Sequence, residues 1–264
     1  QLQSGGTIQM GSDGSANDGL SGQSISLQAG RSILGGNLTT FNGPITLTAN
    51  NGGGQVLATP PVSVITMTQG SRINAGTGTV TIRLLDGAGD PQRANGAITL
   101  ASISAGRIDV RNLGTSAGSD ISVLANGVLT ASGTGRAIDL AAPSGEVINL
   151  AGDAGLVLTG GGHYGIFAAT PTGSQIGSFA NYARRYNVAT AAAYDALNPG
   201  GNFAAFRIAP VLTVTADNAT REYGLANPTL TGTISGLRAG DTASVVSGLV
   251  YGTAATTSSN VGTF

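Results

Sequence analysis

Ile45-Thr46-Leu47 is one copy of a beat that returns along the first part of the chain. Other copies are Ile8-Gln9-Met10, Ile25-Ser26-Leu27, Ile65-Thr66-Met67, Val80-Thr81-Ile82, Ile98-Thr99-Leu100, Ile121-Ser122-Val123, Ile138-Asp139-Leu140 and Leu156-Val157-Leu158. Each is apolar, then usually small and polar, then apolar. Alternate side chains of a strand point to opposite faces, so each copy reads as a strand with one face buried. First residues lie 17, 20, 20, 15, 18, 23, 17 and 18 apart. The mean, about 18 to 19, falls near the range where repeats signify solenoids.

A coil of about 20 residues cannot bury its own apolar row, whereas coils stacked about 4.8 Å apart can. The repeat therefore predicts a right-handed parallel β-helix, the usual hand for parallel crossovers. Unrelated strands in an antiparallel sandwich are the alternative. The middle residues would form one outward ladder: Gln9, Ser26, Thr46, Thr66, Thr81, Thr99, Ser122, Asp139 and Val157. Thr suits such a position because its branched Cβ favours extended backbone.

Composition agrees with this class. Charged residues are 9% of 264, against about 25% in ordinary soluble proteins. An apolar content of 41% argues against disorder, and 43 Gly suit a chain that turns many corners. A net charge of −1 offers no basic surface for nucleic acid or anionic lipid. There is no Cys, hence no disulfide and no thiolate metal site. No stretch has the roughly 20 apolar residues of a membrane span. Gln1-Leu2-Gln3 does not read as a signal peptide, and the expectation is a piece of a longer chain.

Three segments follow. Residues 1–158 carry the coils, with turn signals such as Ser12-Asp13-Gly14, Asn51-Gly52-Gly53-Gly54 and Asn95-Gly96. Thr59-Pro60-Pro61 should bulge or sit at a corner. Arg72-Ile73-Asn74-Ala75 and Arg107-Ile108-Asp109-Val110 read as further strands, so a coil should have two or three. Residues 159–208 break the rhythm at Gly160-Gly161-Gly162 and are rich in aromatics. Phe179, Ala183, Tyr186, Thr190, Ala193 and Leu197 lie at helical spacing, ended by Asn198-Pro199-Gly200-Gly201. This segment is expected to cap the solenoid, whose edge would otherwise recruit other chains; a ligand-binding insertion is the alternative. Residues 209–264 begin a second all-β unit, with strands expected at 211–216, 230–234 and 245–251.

Tyr223-Gly224, Asn227-Pro228, Ser235-Gly236-Leu237, Gly240-Asp241 and Asn260-Val261-Gly262-Thr263 closely resemble the YG-type MBG repeat of large bacterial surface proteins. The resemblance implies a small Ig-like β domain, truncated here. Asn187, Ala193, Ala196-Leu197, Gly200-Gly201-Asn202-Phe203 and Phe206-Arg207 to Pro210 resemble the segment that closes the β-helix in filamentous-haemagglutinin-like exoproteins of two-partner secretion. That family usually has Arg-Trp or Arg-Phe where this chain has Asn202-Phe203. The resemblance implies a fibre secreted or tethered at the surface of a Gram-negative bacterium, with an outer-membrane transporter as export partner.

The acids are the residues that could carry chemistry. β-helical polysaccharide lyases and hydrolases gather carboxylates on one outward ladder. Here that ladder holds Asp139, and Asp109 and Asp120 are the residues that could approach it from a neighbouring face; paired acids could polarise a sugar or bind a cation. Solvated surface acids are the competing reading. Asp86-Gly87-Ala88-Gly89-Asp90 falls short of the 6 to 8 oxygens calcium takes. His163, alone in Gly-rich chain, makes neither a zinc site nor a catalytic trio. Arg184-Arg185 reads as a solvated helix face. The expectation is a non-enzymatic fibre segment with no cofactor. It would associate with itself or other surface fibres, into filaments or a biofilm matrix, or bind a glycan or matrix receptor. A carbohydrate-binding module would instead show a line of exposed aromatics.

Overall fold

The computed structural model describes residues 1–10, 19–51, 62–87, 94–178, 182–238 and 241–263. The turns expected at 12–14, 52–54, 59–61 and 88–90, with Phe179 and Gly240, lie outside the described residues. The chain divides into two units, Gln1–Ala209 and Pro210–Phe264.

The first unit is a parallel β-helix with three walls. The first coil comprises β1 (Leu2–Ser4), β2 (Ile8–Gln9) and β3 (Gly19–Gly22), and the second β4 (Ile25–Ala29), β5 (Ile33–Leu34) and β6 (Asn37–Thr40). Next come β7 (Ile45–Ala49), β8 (Ser63–Thr66) and β9 (Arg72–Asn74), then β10 (Thr79–Leu84), β11 (Asn95–Leu100) and β12 (Ser102–Ala105). The fifth holds β13 (Arg107–Asn112), β14 (Ile121–Val123) and β15 (Leu129–Ala131), and the sixth β16 (Arg136–Ala142), β17 (Val147–Asn149) and β18 (Leu156–Leu158). First, second and third strands of successive coils stack into three parallel walls.

The coil is longer than the sequence spacing suggested. Register partners on the first wall, such as Leu2 with Leu27, Ile25 with Ile45, Ile45 with Val80, Val80 with Ile108 and Ile108 with Ile138, lie between 20 and 35 residues apart. The beats at Ile25, Ile45, Val80 and Ile138 belong to the first wall, those at Ile8, Ile65, Ile98 and Ile121 to the second, and Leu156 to the third. The ladder drawn from Gln9 to Val157 is therefore not one ladder. All three walls use the same apolar–polar–apolar code, so spacing between beats mixes steps within a coil with steps between coils.

Inward residues form aliphatic rows, among them Leu27, Leu47, Ile82, Val110 and Leu140, each 2% exposed or less. Each such side chain contributes roughly 1.5–3 kcal/mol by burial. Polar rows sit at the corners. The Asn50 amide donates to Asn95 Oδ1 (2.7 Å), and Asn95 donates to Asn112 Oδ1 (3.1 Å). Asn112 in turn donates to the carbonyls of Gly96 and Asp120. At the corner between third and first walls, Gly106 N–H donates to Gly78 O and Gly133 N–H to Gly106 O, both at 2.8 Å.

Past the sixth coil the first wall continues as strands, and the second continues as a parallel bridge of Gln175 to Ile148. β19 (His163–Ala168) pairs with β16, and Gly160–Gly162 is the corner before it. β20 (Ala183–Arg185) and α1 (Ala191–Asp195) follow, then β21 (Phe203–Phe206). The order is β19-β21-β20, so β21 enters between two strands that precede it. The helix expected from the 179–197 spacing is a correction: Ala183 lies in an edge strand, and helix covers only five residues. Pairing to β21 overrides the local pattern.

In the second unit, β22 (Thr213–Ala216) and β23 (Gly232–Ser235) form an antiparallel pair. The strand expected at 245–251 is absent; a 3-10 turn occupies Ala243–Val245. Arg221 donates to Asn227 Oδ1 (2.7 Å) and to the carbonyl of Thr256, while the Asn227 amide donates to Ala255 O (2.7 Å). The Tyr223-Gly224 and Asn227-Pro228 motifs are thus pinned to residues 255–257, with Gly224 at φ +87°.

Candidate functional site

β10, β13 and β16 place Thr81, Asp109 and Asp139 side by side in register on the outward face of the first wall. Asp109 and Asp139 share this ladder, not neighbouring faces as the spacing implied. Asp120 is elsewhere: it precedes β14 on the second wall, and its Oδ1 accepts the Glu146 N–H (2.8 Å). Two of the three candidate acids therefore meet, and the third ties coils together.

Four arginines surround the pair. Arg83 Nη2 reaches Asp109 Oδ2 at 2.7 Å, and Arg111 bridges Asp109 (3.3 Å) and Asp139 (3.2 Å). Arg107 and Arg136 approach Asp139 at 3.5 and 3.6 Å. Arg111 also forks onto Asp195 of α1, at 3.0 and 2.8 Å. A fork of this kind is the strongest geometry a guanidinium offers a carboxylate.

The short helix is held onto this face. Thr190 Oγ1 accepts Ala193 N–H as the N-cap (3.1 Å). Arg136 donates to the Leu197 carbonyl just past the helix end, where a cation also complements the dipole. Tyr194 is fully buried, stacks on Phe167 (5.0 Å between centroids) and lies under the Arg136 guanidinium at 4.7 Å. Its hydroxyl donates to Asp139 Oδ1 at 2.5 Å. Gly165 makes the room: a Cβ there would lie 2.7 Å from the Tyr194 hydroxyl oxygen. Ala141, Phe167, Val188, Tyr194, Phe203 and Ala205 form a second small core outside the wall.

The two acids are held differently. Burial pulls Asp109 upward, but the Arg83 hydrogen bond and the charges of Arg83, Arg111 and Arg107 outweigh it and hold the carboxyl below its ordinary value. Burial pushes Asp139 above its ordinary value, against the Tyr194 hydrogen bond and the Arg111 charge. Burial, with Asp139 alongside, also pushes the Tyr194 phenol well up. A carboxylate that transfers protons must reach its substrate. Asp139 is 1% exposed beneath Tyr194. What the arrangement does chemically is clamp α1 and β21 onto the end of the stack.

Sequence reasoning missed Arg111, Arg136, Tyr194 and Asp195. The one available signal was Arg111 two positions after Asp109, hence on the same face of a strand. His163 is not in a loop: it opens β19, is 8% exposed, and its Nε2 has no partner among the described residues. Arg184 and Arg185 lie in the edge strand β20 instead of a helix. Among the described residues no three His, Asp or Glu gather as a metal site. No helix among them is long and apolar enough to cross a membrane.

Residues 212–264 match the family model described as MBG domain (YGX type). No curated protein and no solved structure matches the chain significantly. The MBG domain is typical of surface or adhesin-like repeat proteins.

Proposed function

We propose that this chain is a structural and adhesive segment of a secreted bacterial surface fibre, without a catalytic role. The observation that carries the reading is the union of a stacked-coil rod with an MBG domain in one chain. In a solenoid each coil contacts only its neighbours, so length is gained by adding coils. Low charge density reduces repulsion between rods, favouring self-association. The acid cluster supports architecture over catalysis, because each carboxylate is committed to arginine and Asp139 lies under Tyr194. Export through an outer-membrane transporter of a Gram-negative bacterium, and a place in a biofilm matrix, belong to the same reading and rest on the resemblance of residues 187–210 to fibre-closing segments.

Sedimentation of the purified chain from about micromolar to millimolar concentration, with negative-stain images of the same samples, tests it. Concentration-dependent filaments are expected. A monodisperse monomer throughout would contradict self-association. Glycan cleavage that disappears in the Asp109→Asn, Asp139→Asn double variant would replace the reading with an enzymatic one.

A further inference from the structure

Where the coils end, a cavity of about 240 Å³ opens between Asp153, Leu156, Tyr164, Ile176 and Asn202. Asp153 comes from the 3-10 turn Gly152–Gly155, Leu156 opens β18 and Tyr164 lies on β19. Ile176 follows the bridge between Gln175 and Ile148, and Asn202 immediately precedes β21. Residues far apart in sequence thus converge because the last coil closes here.

The lining has two characters. Leu156 and the buried Ile176 supply apolar surface. Tyr164 stands edge-on to Tyr182, with ring centroids 6.3 Å apart. Asp153 spends Oδ1 on the Ser178 N–H (2.5 Å), and Asn202 spends Oδ1 on the Tyr164 N–H (3.0 Å). Asp153 Oδ2, Asn202 Nδ2 and the Tyr164 hydroxyl make no hydrogen bond among the described residues. That leaves one acceptor, one donor and one group that does both. Among the described residues that line it, none is cationic.

We propose that this cavity is a binding site for a single pyranose-sized saccharide residue. Neighbouring ring hydroxyls each need a donor or an acceptor, and the carboxylate, amide and phenol supply that mixture. The C–H face of a sugar ring matches Leu156 and Ile176. An anionic ligand would find Asp153 and no counter-charge among the described lining residues. The volume lies below the roughly 300–1,000 Å³ of pockets for drug-sized ligands, which favours one ring over an oligosaccharide. The site gives the adhesive reading a ligand class and rests on that reading for its biological use alone.

The test is saturation-transfer NMR of the whole chain with methyl glycosides of glucose, galactose, mannose and N-acetylglucosamine, followed by titration of any binder. At least one glycoside should bind with a Kd of about millimolar, as suits so small a contact. Tyr164→Phe and Asp153→Asn each keep the fold's contacts, including the Asp153 Oδ1 bond, and should each weaken binding about tenfold. Absence of binding by all four glycosides up to about 50 mM would overturn the proposal. Binding unchanged in both variants would overturn it equally, by placing the sugar elsewhere. Either failure leaves the sedimentation result standing, so loss of this site and loss of the fibre reading are distinguishable.

Discussion

The Tyr194 hydroxyl donates to Asp139 Oδ1 at 2.5 Å, joining residues 55 positions apart in sequence. Through this contact a five-residue helix, too short to stand alone in water, is fixed to the outer wall. Removing the hydroxyl leaves a buried carboxylate with one fewer donor. Tyr194→Phe should therefore destabilise the first unit by about 1–3 kcal/mol, read by chemical denaturation, with the stacking on Phe167 retained.

The glycine corner makes a sharper steric prediction. A Cβ on Gly106 would lie 2.1 Å from the Thr77 carbonyl oxygen. Backbone of the coil before must move, so Gly106→Ala should cost about 1–3 kcal/mol. Gly118 is the control, because a Cβ there meets nothing within 4 Å. Gly118→Ala should fall within about 0.5 kcal/mol of the parent in the same denaturant titration.

Asn95 is the middle of the buried amide row, accepting from Asn50 and donating to Asn112 and Leu84 O. Asn95→Ala breaks all three bonds at a site only 3% exposed. A loss of about 2–4 kcal/mol is expected, more than for one hydrogen bond, because the row is a network. Amide exchange should speed up locally at the fourth and fifth coils.

Acid pH should loosen the end of the stack through His163. Burial, and then the Arg136 charge, hold its imidazole below the ordinary 6.5. The unfolded chain therefore binds a proton that the folded chain refuses, so stability falls as pH drops below 6.5 towards the folded value. Asp109 acts in the same direction lower on the pH scale: its contribution is present above 3.8 and is lost only as pH falls further. Melting temperatures between about pH 7.5 and 5 should decline less in His163→Gln than in the parent. Equal slopes would mean that His163 does not carry the effect.

The strand code was legible because Ile45-Thr46-Leu47 and most of its relatives bury two apolar side chains, on the first wall and the second alike. Coil length was not legible for the same reason. Without it, Asp109 and Asp139 could not be put in register, and Asp120 could not be set apart from them. Tyr194 belongs to the aromatic-rich segment 159–208, but its hydroxyl partner depends on a fold-back of 55 residues that no local pattern encodes. The MBG motifs were readable from residue types such as Gly224, whose φ of +87° favours glycine, whereas the bonds of Gly224 and Asn227 to residues 255–257 were not.

The outer face of the first wall clasps the segment that carries α1. A double-mutant cycle of Tyr194→Phe with Asp139→Leu measures that clasp most directly. A coupling of about 1–3 kcal/mol between the two positions is expected. Additivity within about 0.3–0.5 kcal/mol would contradict the clasp and return Asp109 and Asp139 to the search for a substrate.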